Sequence, residues 1–229
     1  MVVQHRAIQA EDKAARRAAI VAAAEALLAH DPENFASVAE VAAAAGLAKG
    51  TVYLYFRTKE EIVLGVHARH SEQLFAELER TLQAHPSDLE PSHVADAFCR
   101  FVTDNPLFLH LSAACMSRFQ RTIDPDVMLG FRATIASRLA HFGPQIEARM
   151  SALAHGQGVQ LLQATYAYAV GMWQLFDPAQ KHARGFDTRP ELAVFNRDFR
   201  RDLYVGLLAL WRGFLAGGAA RSGEPGAPR

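Results

Sequence analysis

One periodicity runs through almost the whole chain. Apolar residues recur every three to four positions, in blocks separated by proline and glycine. That spacing lines one face of an α-helix, and no stretch alternates apolar with polar residues for long enough to make a strand. The expected fold class is therefore all-α. The first block runs over about 11–30, with Ile20, Ala23, Ala24, Leu27 and Leu28 on one face. Asp31-Pro32 ends it, because a residue before proline is pushed out of the α region. Ser37-Val-Ala-Glu40 has the pattern of a capping box, in which the serine hydroxyl accepts from the Glu40 N–H and the carboxylate reaches back. Val38, Val41, Ala42 and Ala45 then form an apolar stripe that stops at Gly46. A third helix is predicted over about 49–56. Thr58-Lys-Glu-Glu61 reads as a second capping box and opens a long helix to about 83.

His85-Pro-Ser-Asp-Leu-Glu-Pro91 is a breaker segment. Further helices are predicted over about 92–103, 106–119, 125–150, 157–176 and 190–216. Asn105-Pro106, Asp124-Pro125, Gly156, Asp177-Pro178 and Arg189-Pro190 punctuate them. The tail from Gly217 is rich in Gly, Pro and Ser and is expected to be disordered. The domains expected are 11–70, 71–216 and the tail 217–229.

Half of the 229 residues are hydrophobic and 21% are charged, which suits a chain with a packed core. No apolar run approaches the ~18 residues that span a bilayer. The first residues lack the apolar core of a secretory signal, and the two cysteines, Cys99 and Cys115, make no disulfide framework. The expected location is the cytoplasm, with no membrane partner. Net charge is zero, and the first 70 residues hold eight basic and eight acidic side chains. Affinity for nucleic acid would have to come from where the charges sit.

The segment from Ser37 to Lys59, SVAEVAAAAGLAKGTVYLYFRTK, carries the function. Two short helices are joined by a turn on Gly46-Leu47-Ala48, the layout of a helix-turn-helix over about 37–56. The second helix of such a pair fits the DNA major groove. Val52 and Phe56, four apart, face inward, which turns Gly50 and Leu54 outward and puts Thr51 and Tyr53 on the flanks. Gly50 allows close approach of a phosphate. Thr51 offers a hydroxyl and a methyl to base edges, and the Tyr53 and Tyr55 hydroxyls suit phosphates. Lys49 and Lys59 bracket the helix as phosphate-neutralising cations. Arg16 and Arg17 fit either a solvated face or phosphate contact.

Over about 12–70 the chain resembles the TetR family of bacterial regulators. The likeness lies in capping Ser37, the turn Ala44-Ala45-Gly46-Leu47, the run Lys49-Gly50-Thr51-Val52-Tyr53-Leu54-Tyr55-Phe56 and Lys59-Glu60-Glu61. The resemblance implies a three-helix DNA-binding domain and a larger helical domain that binds a small effector. It also implies a homodimer formed through the last two long helices, on a double-stranded DNA operator. The resemblance implies that Thr51, Tyr53, Tyr55 and Lys59 touch DNA, and the residues expected at DNA are these four together with Ser37, Lys49, Gly50 and Leu54. Two positions depart from the family pattern. Ala48 replaces a frequent serine and removes a side-chain cap worth about 1 kcal/mol. Leu54 stands where polar or aromatic residues are common, so it would read shape or a thymine methyl.

The second domain is rich in aromatics, and a subset is expected to line an apolar effector pocket. His110, Arg118, Phe131, Tyr166, Trp173 and Gln174 are the candidates. Val159, Leu162, Tyr166, Val170 and Trp173 form one wide apolar face. Leu192, Phe195, Phe199, Leu203, Leu207, Leu210, Trp211 and Phe214 form another. Burial within one subunit explains part of them, and pairing with a second subunit explains the rest. His67 and His70 are three apart, a spacing that can serve a metal, but exposed or capped histidines are the plainer expectation. Cys99 and Cys115 are expected to be buried free thiols. The rival readings are a second domain that is a bare protein-docking module, and a helical enzyme. Glu90-Pro-Ser-His93 is the one Glu-x-x-His spacing, and it carries a proline. No His-Glu-x-x-His, P-loop or Gly-x-Ser-x-Gly occurs. The chain is expected to be neither an enzyme nor dependent on a cofactor or metal.

Overall fold

The computed structural model describes residues 2–32, 34–117, 119, 121–176, 189–195 and 197–222. Among them there are helices and no strand. In chain order these are α1 (Val2–His30), α2 (Val38–Ala44), α3 (Lys49–Tyr53), α4 (Lys59–Ala84) and α5 (Pro91–Asp104). Then come α6 (Leu107–Ser117), α7 (Pro125–Arg149), α8 (Gln157–Phe176), a 3₁₀ turn over Pro190–Phe195, and α9 (Phe199–Ser222). The chain divides into two compact units. One holds the residues up to Ser71 together with His110–Phe131, and the other holds Glu72–Leu109 and the residues from Arg132. Sequence reading put 110–131 in the second domain, whereas here this segment clusters with the helix-turn-helix.

The first unit closes around side chains from α1, α2, α3 and α4. Ile20, Val21, Ala24 and Leu28 of α1 are buried, as are Val38, Val41 and Ala42 of α2. Val52 of α3 and Phe56 just beyond it join them, with Ile62, Val63, Leu64 and Val66 of α4. The burial of α1 follows its apolar spacing, although the helix starts at Val2, well before the expected position near 11. Residues 2–10 include no proline or glycine and continue the helix without a stop signal.

Two expected helices are corrected. The third ends at Tyr53 instead of continuing to 56. Its last turn tightens, with the Leu54 and Tyr55 N–H groups donating to the carbonyls of Thr51 and Val52 three residues back. The helix predicted over 190–216 is broken. Asp198 caps α9, its carboxylate accepting from the Arg201 N–H at 3.0 Å and its carbonyl from the Asp202 N–H at 2.9 Å. The apolar spacing of Leu192, Phe195 and Phe199 passes through this cap and hid it. The expected disordered tail is also corrected in part, because α9 extends to Ser222. Ala219-Ala220-Arg221 are strong helix formers after the glycine pair. Residues 223–229 lie outside the described residues.

In the second unit α8 packs on α9 with an unexpected line inward. Gln157, Leu161, Thr165 and Ala169, spaced by four, are buried. The larger Val159, Leu162, Tyr166, Val170 and Trp173 are only half-buried. Leu203, Leu207 and Trp211 of α9 are fully buried. The Trp211 indole N–H donates to the Thr165 hydroxyl at 2.9 Å, and that hydroxyl donates to the Leu161 carbonyl at 2.8 Å. The start of α8 crosses α7 at backbone contact. A methyl on Gly158 would sit 2.2 Å from the Gly143 carbonyl oxygen. Backbone cannot yield as a side chain end can, so Gly158→Ala is expected to cost about 1–3 kcal/mol. Urea unfolding followed by tryptophan fluorescence checks this directly, because Trp173 and Trp211 both belong to this unit. An unchanged midpoint would mean the crossing is loose.

Candidate nucleic-acid interface

The helix-turn-helix is set by its caps and one glycine. The Ser37 hydroxyl accepts from the Glu40 N–H at 3.3 Å, and the Glu40 carboxylate accepts from the Ser37 N–H at 2.8 Å. These two bonds, the backbone one first, hold the Glu40 carboxyl below its ordinary pKa. Gly46 follows α2 with φ +66°, a conformation that costs glycine nothing and most residues a clash. The Leu47 N–H closes the turn on the Ala42 carbonyl at 2.9 Å. Ala48 then caps α3 with its backbone alone, the loss anticipated from the missing serine.

The second capping box differs from its expected form. The Thr58 hydroxyl does accept from the Glu61 N–H at 3.1 Å. The Glu61 carboxylate, however, accepts from the N–H of Arg57 at 2.8 Å, one residue further out. Glu61 is buried, so it pins the chain between α3 and α4 from inside.

This framework sorts the residues of the second helix cleanly. Val52 and Phe56 are 0% and 2% exposed, whereas Tyr53 is 46% and Leu54 77% exposed. Ser37, Lys49, Gly50 and Lys59 are exposed, and Thr51 and Tyr55 are half-buried. The Lys49 ammonium lies 5.9 Å from the centre of the Tyr53 ring, which keeps a cation beside an exposed phenol. The Arg17 guanidinium lies 4.6 Å over the Phe56 ring, so one arginine of the ambiguous pair on α1 stands at the helix-turn-helix. Arg57, which sequence reasoning left out of the site, follows α3 with an exposed side chain paired to Asp124 at 2.8 Å. Its position between Tyr55 and Lys59 was the signal available.

The expected effector residues are divided between the two units. In the first unit, His110 lies 5.8 Å from the Phe35 ring, and Phe131 lies 5.4 Å from that of His67. In the second unit, Tyr166 meets Phe108 edge-on at 6.2 Å and Trp173 meets Phe199 edge-on at 5.6 Å. Gln174 is exposed, and Arg118 lies outside the described residues. None of the five described candidates lines an open cleft of about 560 Å³ in the second unit. Glu72, Ala133, Thr134, Ser137, Arg138 and His141 line it. There Arg138 forks onto Glu72 at 3.2 and 2.5 Å.

The remaining candidate chemistry resolves into structural roles. His67 and His70 are buried, at 1% and 4% exposure, so of the two expectations, exposed or capped, exposure is corrected. Residues 61–67 of α4 are all buried, and His70 lies one turn further along the same helix. The His70 Nε2 lies 2.8 Å from the Glu25 carboxylate. The Glu90-x-x-His93 pair serves as a helix cap, with the His93 Nδ1 accepting from the Glu90 N–H at 3.2 Å. Cys99 and Cys115 are free and buried. Burial pushes their thiols up to about 11 and about 12, far from the thiolate range of a reactive cysteine.

A capped, glycine-turned helix pair that shows solvent an aromatic and cationic face is a DNA-reading module. Joined to a larger helical unit, it defines a DNA-binding transcriptional regulator. Residues 20–66 match the profile of the bacterial regulatory proteins of the tetR family, and residues 68–218 match the tetracyclin repressor-like C-terminal domain. The chain belongs to the TetR family. Among solved structures, it is similar to a Mesorhizobium loti protein assigned to the TetR-family transcriptional regulators. The two share 18% identity over 90% of this chain and 97% of that one, with a TM-score of 0.56. It is also similar to the fatty acid degradation regulator FadR of Bacillus halodurans. Here identity is 14% over 86% of this chain and 94% of that one, with a TM-score of 0.53. At these identities the likeness is one of fold. No curated protein matches the chain.

Proposed function

We propose that the protein is a ligand-responsive repressor that binds a palindromic operator as a homodimer. The observation that carries this reading is the sorting of α3 and its exit. Val52 and Phe56 anchor it inward, and Tyr53 and Leu54 stand out beside Lys49 and Lys59. Tyr53, Tyr55, Lys49 and Lys59 take backbone phosphates, Ser37 and Gly50 flank them, and Thr51 and Leu54 meet base edges. The half-buried apolar residues of α8 and α9, with Leu175 and Val205 58% and 57% exposed, support a two-fold interface. Half-sites about 34–36 Å apart would follow from that symmetry. An apolar or amphipathic effector bound in the second unit favours a dimer whose recognition helices are wrongly spaced. Affinity then falls by differential binding of two states. Fatty acyl compounds are the first probes, given the regulator of fatty acid degradation among its fold neighbours.

The test is fluorescence anisotropy on the DNA upstream of the protein's own gene, competed with unrelated DNA across a salt series. Where no preference emerges, random-sequence selection supplies the operator. Tyr53→Ala and Lys59→Ala are each expected to weaken binding several-fold, and Lys59→Ala also to flatten the salt dependence by about 0.9 per half-site. Equal affinity for all sequences, followed by failure of the selection, would refute the reading. Full operator affinity at saturation with every ligand found would refute its effector-release part.

A further inference from the structure

We infer that Arg57 is a further phosphate-contacting residue and that Asp124 is its built-in competitor, holding the guanidinium until DNA replaces the carboxylate. This rests on the DNA-binding reading above and adds a residue pair that the helix-turn-helix pattern does not contain. The backbone of Arg57 is fixed where α3 hands over to α4, because its N–H donates to the buried carboxylate of Glu61 at 2.8 Å. Its side chain is 78% exposed and lies two residues from both Tyr55 and Lys59. Arg57 thus stands in sequence midway between two residues proposed above to take phosphates, with its own guanidinium at the surface.

Asp124 belongs to the same compact unit and is held much more firmly. Its Oδ1 accepts from the Asp126 N–H at 2.9 Å and its carbonyl from the Met128 N–H at 3.0 Å, so it caps α7. Its other oxygen, Oδ2, takes the Arg57 guanidinium at 2.8 Å. Among the described residues, Lys49 and Lys59 have no carboxylate within ion-pair distance, and Arg57 does. One cation at the edge of the DNA-facing surface is thus neutralised within the protein. An exposed pair of this kind is weak, and a phosphate that accepts two guanidinium hydrogen bonds is a stronger partner for the same group. The ion pair therefore keeps Arg57 ordered in the free protein and reduces attraction to DNA that offers no well-placed phosphate.

The test is a two-residue cycle read by anisotropy on the operator across a salt series, with Arg57→Gln, Asp124→Asn and the double variant. Asparagine caps helices as well as aspartate does, so Asp124→Asn keeps α7, and circular dichroism melting of each variant checks it. Asp124→Asn is expected to tighten binding by about 2- to 5-fold per half-site. Arg57→Gln is expected to weaken binding and lower the salt slope by about 0.9 per half-site. In the Arg57→Gln background, the gain from Asp124→Asn should vanish. An unchanged or weakened Asp124→Asn, an unchanged salt slope for Arg57→Gln, or a gain that persists in the double variant overturns the proposal. If the wild type discriminates its operator and Tyr53→Ala and Lys59→Ala weaken it, such a result overturns this inference alone. Wild type that binds no DNA overturns the DNA-binding reading as well.

Discussion

Phe56→Ala is expected to remove about 3–5 kcal/mol of stability from the first unit and to abolish operator binding with it. The ring is 2% exposed and stands against α1 and α4. Arg17 covers one face, and the Gly65 Cα leaves so little room that a methyl there would come within 3.3 Å of the ring and 3.1 Å of Val21. A side chain this enclosed loses both its transfer free energy and the contacts around the cavity left behind. The loss is a large fraction of the roughly 5–15 kcal/mol that a typical domain has. The effect on DNA follows from length. Helix α3 has five residues, far too few to persist without tertiary support, and Val52 and Phe56 are the side chains that tie it down. Hydrogen exchange over residues 49–66 should show lost protection, whereas tryptophan fluorescence, which reports the other unit, should change much less. Phe56→Leu, which refills most of the volume, should recover the larger part of both protection and affinity. If Phe56→Ala kept protection and lost only DNA binding, Phe56 would be a contact residue and the inward assignment would be wrong.

The recognition element was legible because its determinants are local. A capping box needs two residues three apart, a turn needs one glycine, and the inward pair Val52 and Phe56 needs one helical repeat. All three can be read without knowing what packs outside them. The misreadings have the opposite character. The periodicity of α8 selected its largest apolar side chains, yet its buried line is Gln157, Leu161, Thr165 and Ala169. The reason is tertiary. Thr165 is satisfied by the Trp211 indole, and Gly158 admits α7 at backbone distance. Asp198 interrupts the last helix because a carboxylate can cap in mid-pattern, while the apolar spacing on either side stays in phase. Glu61 reaches past Thr58 to Arg57, a difference of one residue that no spacing rule resolves. The contacts of 110–131 with the helix-turn-helix, and with them the Arg57–Asp124 pair 67 positions apart, depend wholly on packing at long range in the chain, while the C-terminal family profile over 68–218 keeps this segment with the second domain, as the sequence reading has it. The effector residues are a different case, since aromatic content alone does not separate pocket from core.

The stability of the first unit should fall steeply between pH 6.5 and pH 4, ahead of the general acid unfolding of carboxylates. His67 is 1% exposed on α4, beside the Phe131 ring. Burial first, and the neighbouring His70 second, bring its pKa down to about 4. In the unfolded chain it titrates near 6.5. Above pH 6.5 the imidazole is neutral in both states and folding carries no protonation cost. As pH falls below 6.5, the unfolded chain takes up a proton that the folded one refuses, so the native state loses ground until the folded pKa is reached. The difference amounts to about 2 kcal/mol by pH 5 and about 3 kcal/mol at the low end of the window. His70 is shifted in the same direction by burial, with the Glu25 carboxylate opposing, so it adds to the slope without reversing it. Urea midpoints from pH 7.5 down to pH 5, read by exchange protection in the first unit, should trace this loss. His67→Gln cannot titrate, and it should flatten the pH dependence even if it lowers stability at neutral pH. The slope of the curve, independent of its height, is therefore what identifies the histidine. A wild-type curve flat between pH 7.5 and 5, or a His67→Gln curve equally steep, would place the acid sensitivity elsewhere.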